Sequence, residues 1–173
     1  FDIKIEAKVL SNTVSNLLIL FGGTDPSHLT EKTLNALSQI KFPGKVTVIQ
    51  GMGKETDVEK EKYKDLNLEI LRDVKYMPRY MLEADLAISS AGRTITELIT
   101  CGVPTICMCQ NTKEMTHTHA SQQYGVINLG LGSLLDEESI SKHIKLILEN
   151  HKFRDLMRQR ARYHGKKRSN SLI

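Results

Sequence analysis

The sequence predicts a single α/β domain with a Rossmann-like, three-layer architecture and a mostly parallel sheet of about six strands. Short apolar runs alternate with helical patterns along most of the chain, and this alternation is typical of a parallel sheet covered by helices on both faces. The length of 173 residues, with 40% hydrophobic and 25% charged residues, suits one ordinary globular domain. Three cysteines are too few for a disulfide scaffold, which favours a reducing compartment.

Six apolar runs carry the strand signal. Runs this short, bounded by glycine, proline or polar residues, are typical of buried parallel strands. They lie at residues 17–21, 46–49, 68–71, 85–89, 105–109 and 125–129, and we expect the last to be marginal.

Helical patterns occupy the intervals between these runs. Asp25 and Pro26 suit the N-cap and the first position of a helix whose apolar face runs from Leu29 to Ile40. The charged segment 54–65 predicts a short exposed helix or an irregular crossover. Further helices are predicted around residues 77–84, 95–99 and 113–124, then from a cap at Asp136 to residue 148, and finally across a basic stretch.

The basic stretch at residues 151–168 holds eight basic residues and one acid, whereas the rest of the chain is mildly acidic. Phe153, Leu156 and Met157 have the i, i+3, i+4 spacing of a helix docked by one face. We therefore expect its basic residues to form a solvated face rather than a membrane or nucleic-acid contact. Nucleic-acid binding is further disfavoured because the chain lacks tryptophan and interleaved basic and aromatic residues.

The domain boundaries and the compartment follow from the same survey. We expect residues 1–12 to be a linker or the tail of a preceding domain, 13–165 to be the domain, and 166–173 to be a basic C-terminal tail. No apolar run approaches the roughly 20 residues of a transmembrane helix, and the N-terminus lacks the order of a secretory signal. These features predict a cytoplasmic protein.

Two glycine-bearing turns follow predicted strands, at Gly22-Gly23-Thr24-Asp25 and at Ser89-Ser90-Ala91-Gly92. Ligands of an open parallel sheet bind outside the carboxyl ends of its strands, where small residues let the backbone approach an anion. Together the turns predict a phosphate or diphosphate site, although either alone is equally typical of an ordinary turn. Neither matches GxGxxG or a P-loop, which disfavours a nicotinamide cofactor and a Walker-type site. We expect no cofactor.

Glu97 lies one turn inside the helix after Gly92 and off its apolar stripe. A carboxylate there can accept hydrogen bonds from both hydroxyls of a ribose whose phosphates lie at the same helix terminus. The spacing from Thr94 to Glu97 also fits a capping box. Spacing alone leaves both roles open.

A zinc site is a third possibility, because cysteine and histidine ligands occur close together at Cys107, Cys109, His117 and His119. The two cysteines, however, lie in an apolar run that predicts a buried strand. Structural zinc sites usually place a C-x₂-C pair on a turn. We therefore predict no metal site at these residues.

These motifs resemble the C-terminal half of GT-B enzymes that act on UDP-sugars. The matching segments are LILFGGTDP (18–26), ADLAISSAG (84–92), TEL (96–98) and CGVPTI (101–106). The resemblance is to the glycosyltransferase family 28 C-terminal domain, in the branch with the peptidoglycan N-acetylglucosaminyltransferase and the UDP-sugar hydrolase of pseudaminic acid biosynthesis. The Gly-Gly-Thr-Asp-Pro motif is more similar to the hydrolase, but Ser90-Ala91-Gly92-Arg93 stands where the hydrolases often have Ala-Gly-Gly-Ser.

Residue by residue, the resemblance implies a UDP site. Glu97 would hold the ribose, and the backbone around Asp73, Val74 and Lys75 would read the uracil edge. The residues implied around the diphosphate are Gly22, Gly23, Thr24, Ser90, Ala91, Gly92 and Arg93. Those implied to face the sugar are Gln110, Asn111 and Gln122.

The resemblance also implies a function and a partner. In both enzymes the groups that act on the anomeric carbon or its phosphate come largely from an N-terminal domain, which we expect in cis or in a partner chain. The ligand would be UDP or a UDP-amino sugar, and the enzyme a nucleotide-sugar hydrolase of surface polysaccharide or nonulosonic acid biosynthesis. The alternatives are a UDP-sugar-dependent glycosyltransferase and a non-catalytic binding or assembly module. We expect the isolated chain to be inactive.

Overall fold

The computed structural model describes residues 12–51, 53 and 58–170. Within these ranges lie the strands β1 (Asn16–Leu20), β2 (Lys45–Gln50), β3 (Asn67–Arg72), β4 (Leu86–Ser89), β5 (Thr105–Cys109) and β6 (Val126–Leu131). They form one sheet in the order β3-β2-β1-β4-β5-β6, and every neighbouring pair is parallel. The predicted α/β class and the six-stranded parallel sheet are confirmed.

Helices cover both faces of this sheet. The α-helices in the described ranges are α1 (Leu29–Gln39), α2 (Met77–Glu83), α3 (Thr94–Thr100), α4 (Glu137–Glu149) and α5 (His151–Asn170). One core lies between the sheet and α1 and α4, and includes Leu34 and Ile144. The core on the other face includes Met81 of α2 and Leu98 of α3. In addition, α5 packs on α3 and α4.

The central strands are apolar on both faces. Leu17, Leu18 and Ile19 of β1 are buried, as is every residue of β4, and burial at successive positions is what a central parallel strand requires. The strand order reverses between β1 and β4. In such sheets the crevice outside the carboxyl ends of the strands at this reversal is the usual ligand site.

The first helix begins later than the sequence predicts. Helical structure starts at Leu29, so Pro26 lies before the helix, and His28, with a φ of 52°, occupies the N-cap. Asp25 still caps the helix, because its carboxylate accepts hydrogen bonds from the backbone N–H of Leu29 and of Thr30, both at 2.9 Å. That carboxylate ties the loop after β1 to the first turn of α1.

The predicted helix at residues 113–124 is wrong. Asn111 Oδ1 accepts a hydrogen bond from the Glu114 N–H at 3.0 Å, and such local bonds from side chain to backbone compete with the helical ladder. In place of the helix the structure has two 3₁₀ turns, Glu114–Thr116 and Gln122–Tyr124.

The last helix docks by a different face from the predicted one. Met157 is buried, but Leu156 is 40% exposed. Arg154 and Arg158, which the sequence assigns to the solvated face, are buried instead. The polar atoms of these two long side chains therefore need partners inside the protein.

Arg154 bonds to backbone carbonyls on two sides. Its guanidinium donates to the carbonyl oxygens of Ile147 at 2.8 Å, Leu148 at 2.5 Å and Asn12 at 2.6 Å. Burial lowers the pKa of Arg154, while the negative charge of Asp85 raises it. Arg154 thereby joins the end of α4 to the segment that leads into β1.

The predicted boundary segments lie partly outside the described residues. Of the predicted linker 1–12 only the last residue is described, and of the charged segment 54–65 residues 54–57 are not. Lys60–Tyr63 form a 3₁₀ turn within that segment. At the other end, α5 continues to Asn170, so the helix extends into the predicted tail. No helix in the described ranges combines the length and apolar character needed to cross a lipid bilayer.

Candidate functional site

A cleft of about 530 Å³ opens at the carboxyl ends of β1, β2 and β3. Leu20, Ile49 and Met77 supply the apolar part of its lining. A volume of about 300–1,000 Å³, with an apolar lining and a few polar groups, is typical of a small-molecule site. The other lining residues are Gly22, Gln50, Gly51, Asp73, Val74, Lys75 and Thr94.

This cleft brings together parts of the predicted UDP site that are distant in sequence. Gly22, which lines the cleft, belongs to the set of residues that the resemblance implies around the diphosphate. Asp73, Val74 and Lys75 are the complete uracil set, and Thr94 begins the helix that bears Glu97. The loops after β1 and β3 and the start of α3 therefore meet at one cavity.

Glycines allow the loops after β1 and β2 to approach closely. Gly22 has a φ of 83°, a backbone conformation that glycine adopts without steric cost. A Cβ on Gly51 would lie 2.4 Å from the Gly22 carbonyl oxygen and 2.4 Å from the Gly23 Cα. Only glycine fits at residue 51 in this arrangement. Gly23 and Thr24 continue the loop and are exposed.

The predicted uracil segment is a turn directly after β3. Asp73 has a φ of 50°, a left-handed conformation that aspartate tolerates better than most residues. Val74 is half-buried between exposed Asp73 and Lys75. Because ladder pairing with β2 ends at Arg72, the backbone of this turn is not committed to the sheet.

Glu97 lies on the exposed side of α3, in its first turn. Thr94, three residues earlier, lines the cleft, and residues at i and i+3 share a helix face. Glu97 is therefore one turn further along the face that borders the cleft. The capping box does not form, because Thr94 is the first helical residue and the N-cap Arg93 makes no side-chain cap bond.

A carboxylate fastens the turn between β4 and α3. Glu114 Oε2 accepts hydrogen bonds from the Ala91 N–H at 3.2 Å and the Gln110 N–H at 2.8 Å. His117 Nδ1 lies 2.6 Å from the Ala91 carbonyl oxygen, and since a carbonyl only accepts, Nδ1 is the donor. Within the turn Ser90 and Ala91 are buried, whereas Arg93 is exposed.

The structure separates the three residues predicted to face the sugar. Gln110 and Asn111 follow β5 at the carboxyl ends of the strands, whereas Gln122 precedes β6 at the opposite edge of the sheet. The amide of Gln110 is engaged, because its Nε2 donates to Asp25 Oδ1 at 2.7 Å and its Oε1 accepts from the Ser27 N–H at 3.4 Å. Gln110 therefore connects the loops after β1 and β5.

The cysteines considered as zinc ligands are part of the core. Cys107 and Cys109 are completely buried in β5, and a hydrogen bond with Cys109, together with burial, raises the pKa of the Cys107 thiol. His119 contacts the ring of Tyr124 edge-on, with 5.4 Å between the ring centres. In the part of the chain that the structure describes, no group of three or more His, Cys, Asp or Glu residues is placed to hold a metal ion.

Glu114 and His117 are the residues of this region whose contacts the sequence does not reveal. The sequence patterns place Glu114 in a helix that does not form. They suggest a role for His117 only as a possible zinc ligand. Both contact Ala91, which lies more than 20 residues earlier in the chain. The available signal is their position after a buried strand, at the edge of the sheet where ligands bind.

The fold and the cleft define a class of protein. A doubly wound parallel sheet with a crevice at its strand-order reversal is typical of domains that bind nucleotides. The sequence matches the glycosyltransferase family 28 C-terminal domain over residues 17–171, and the chain belongs to this family. The resemblance drawn from the motifs is confirmed at the level of the family.

Solved structures show the same fold. MurG of Acinetobacter baumannii superposes with a TM-score of 0.70 and 23% identity, covering 86% of this chain and 45% of that chain. CalG4, the calicheamicin glycosyltransferase, superposes with a TM-score of 0.62 and 15% identity, covering 88% of this chain and 39% of that chain. The domain therefore has the fold found in part of each of these larger proteins.

Two curated relatives are similar in sequence. The uncharacterized protein MJ1062 of Methanocaldococcus jannaschii is 28% identical over 160 residues, which cover 82% of this chain and 32% of that protein. The spore coat polysaccharide biosynthesis protein SpsG of Bacillus subtilis is 26% identical over 159 residues, covering 89% of this chain and 47% of SpsG. The chain thus spans less than half the length of either relative.

Proposed function

We propose that this domain binds a UDP-sugar, with UDP-amino sugars as the ligand class, for an enzyme of surface polysaccharide or nonulosonic acid biosynthesis. The cleft at the carboxyl ends of β1–β3 carries the proposal, because it joins Gly22, the turn at residues 73–75 and the face of α3 that bears Glu97. Membership of the family supports the nucleotide-sugar ligand. The similarity to the polysaccharide biosynthesis protein SpsG supports the pathway class.

The residues that line the cleft, and those of α3 and of the turn after β4 that lie beyond its lining, each have a chemical task in this proposal. The backbone groups at residues 73–75, beyond the end of the ladder between β2 and β3, pair with the uracil edge, and the apolar lining contacts the base. Glu97 accepts hydrogen bonds from both ribose hydroxyls. The turns after β1 and β4, at the strand-order reversal, allow the backbone to approach the diphosphate. Exposed Arg93 adds a positive charge beside it.

Glu97→Ala is expected to weaken UDP binding tenfold or more. A hydrogen bond to a charged group contributes about 1.5–3 kcal/mol, and about 1.4 kcal/mol corresponds to tenfold in affinity. Uridine affinity should fall in parallel, because the ribose is common to both ligands. Isothermal titration calorimetry with the 173-residue chain measures both.

Glu149→Ala is the matched control, because Glu149 is exposed at the end of α4 and its removal should leave both affinities unchanged. Equal UDP affinity in wild type and Glu97→Ala, with the circular dichroism spectrum intact, excludes the ribose contact. If the wild type fails to bind millimolar UDP, a non-catalytic assembly module becomes the better explanation.

We propose hydrolysis as the reaction of the whole enzyme, supported by the Gly22-Gly23-Thr24-Asp25-Pro26 motif. Glycosyl transfer is the second candidate, supported by the family and by the transferase fold of CalG4. Either reaction needs groups within hydrogen-bond reach of the reacting atoms. We propose that a second domain, in cis or in a partner chain, supplies those groups.

The isolated chain is accordingly expected to release no UDP from UDP-amino sugars above the buffer rate. A coupled assay for UDP, run with and without an added N-terminal domain, measures this. Release that needs the added domain but no acceptor supports hydrolysis, and release that also needs an acceptor supports transfer. Turnover by the chain alone, abolished by a substitution within it, contradicts the two-domain proposal.

A further inference from the structure

A fixed negative charge lies against the turn assigned to the diphosphate. Glu114 Oε2 is 3.2 Å from the Ala91 nitrogen, and Glu114 Oε1 is 3.5 Å from the point where a Cβ of Gly92 would lie. Ala91 and Gly92 both belong to the residues implied around the diphosphate. A ligand phosphate that approaches this backbone therefore meets a carboxylate.

The position of this carboxylate is determined by its neighbours. The Gln110 N–H donates to the same Oε2 at 2.8 Å, and the Glu114 N–H donates to Asn111 Oδ1 at 3.0 Å. His117 holds the Ala91 carbonyl from the same loop. Moving Glu114 away breaks hydrogen bonds to a charged group, each of which is costly to lose, so the charge remains when a ligand enters.

We propose that Glu114 is a specificity-determining residue, which makes the site prefer the diphosphate diester of a UDP-sugar to the free terminal phosphate of UDP. This inference rests on the proposed function, because it needs the diphosphate at the turn after β4. The terminal phosphate of UDP carries an additional ionisation near neutral pH, which the sugar ester lacks. Repulsion between like charges a few ångströms apart then weakens UDP more than UDP-sugar.

The direct test compares wild type with Glu114→Gln. Glutamine keeps a side-chain oxygen as acceptor for the Ala91 and Gln110 N–H groups and removes only the charge. Calorimetry is performed with uridine, UDP and UDP-N-acetylglucosamine. UDP should bind the variant about fivefold or more tightly than wild type, UDP-N-acetylglucosamine should gain less, and uridine affinity should not change.

The salt dependence of UDP affinity distinguishes an electrostatic role of Glu114 from a purely structural one. At about 1 M salt the screening length falls to about 3 Å, so the UDP affinities of wild type and Glu114→Gln should converge. The same measurement on wild type alone is informative if the variant does not fold. In wild type, the ratio of UDP-N-acetylglucosamine affinity to UDP affinity should fall as the salt concentration rises. If wild type binds UDP more tightly than UDP-N-acetylglucosamine at low salt, the inference is overturned.

The outcomes separate this inference from the proposed function. A Glu114→Gln variant that leaves the ratio of UDP to uridine affinity unchanged, or that weakens UDP, overturns the role of Glu114. The UDP site itself stands if Glu97→Ala still weakens UDP binding. If neither wild type nor Glu114→Gln binds millimolar UDP, both proposals fail. Glu149→Gln, which removes the same charge from the exposed end of α4, should match wild type throughout.

Discussion

Gly125→Ala is expected to lower the free energy of unfolding by about 2–5 kcal/mol. Gly125 has a φ of 78°, and a Cβ there would lie 2.1 Å from the Met157 carbonyl oxygen and 3.0 Å from the Ala161 nitrogen. The left-handed backbone costs a non-glycine residue roughly 1–2 kcal/mol. Forcing α5 away from the turn before β6 adds about 1–3 kcal/mol.

Gly130→Ala separates these two costs. Gly130 also has a positive φ, 86°, but a Cβ there would have no atom within 4 Å. Its replacement should cost only the backbone part, roughly 1–2 kcal/mol. Urea denaturation of both variants measures the difference. Equal losses would show that α5 accommodates the added methyl group without strain.

The sheet was predictable because its signals are local. The first predicted run, 17–21, differs from β1 (Asn16–Leu20) by one residue at each end, since a buried parallel strand needs only a short continuous apolar sequence. The packing face of α5 was not predictable in this way. Its helical spacing is equally compatible with burying Leu156, and the burial of Arg154 instead depends on carbonyl groups of α4 and Asn12.

In the candidate site, too, features with a local sequence signal were predictable and contacts between distant loops were not. Turns of small residues after parallel strands lie at the end of the sheet where ligands bind, so the positions of Gly22 and of the residues around Ala91 were predictable from the sequence, whereas their contact with a diphosphate remains a prediction. The lining of the cleft by Asp73, Val74 and Lys75 agrees in position with their predicted role, which remains a prediction. The Glu114 contact with Ala91 was not accessible, because it joins two loops through a side chain and leaves no periodic pattern.

Gln122 shows that the structure can separate residues which a resemblance groups together. Its place beside the sugar was implied by the resemblance, and in the structure Gln122 begins the second of the two 3₁₀ turns that replace the predicted helix at 113–124. The chain from Gln110 runs back across the sheet before β6 begins, so Gln122 reaches the amino ends of the strands. Glu97, by contrast, lies in a short helix that follows β4 closely, one turn from the cleft-lining Thr94. The roles of Glu97 at the ribose and of Gln122 at the sugar remain predictions.

Arg154→Ala is expected to destabilise the domain by about 3–5 kcal/mol. The substitution removes three hydrogen bonds and leaves the carbonyls of Ile147, Leu148 and Asn12 without this donor. The first two lie in the last turn of α4, where an arginine normally compensates for missing helical donors. Equilibrium denaturation in urea measures the loss.

Lys152→Ala is the matched control, because Lys152 is an exposed cation near the start of the same helix. Exposed substitutions of this kind usually change stability by less than about 0.5 kcal/mol. A similar small loss for Arg154→Ala would mean that water replaces the guanidinium at these carbonyls. A large loss of unfolding free energy for Arg154→Ala, but not for Lys152→Ala, would show that the buried guanidinium stabilises the packing of α5 against the amino end of the sheet. The cleft is formed by loops at the opposite edge, so UDP affinity measured in the native state should then be the same for both variants.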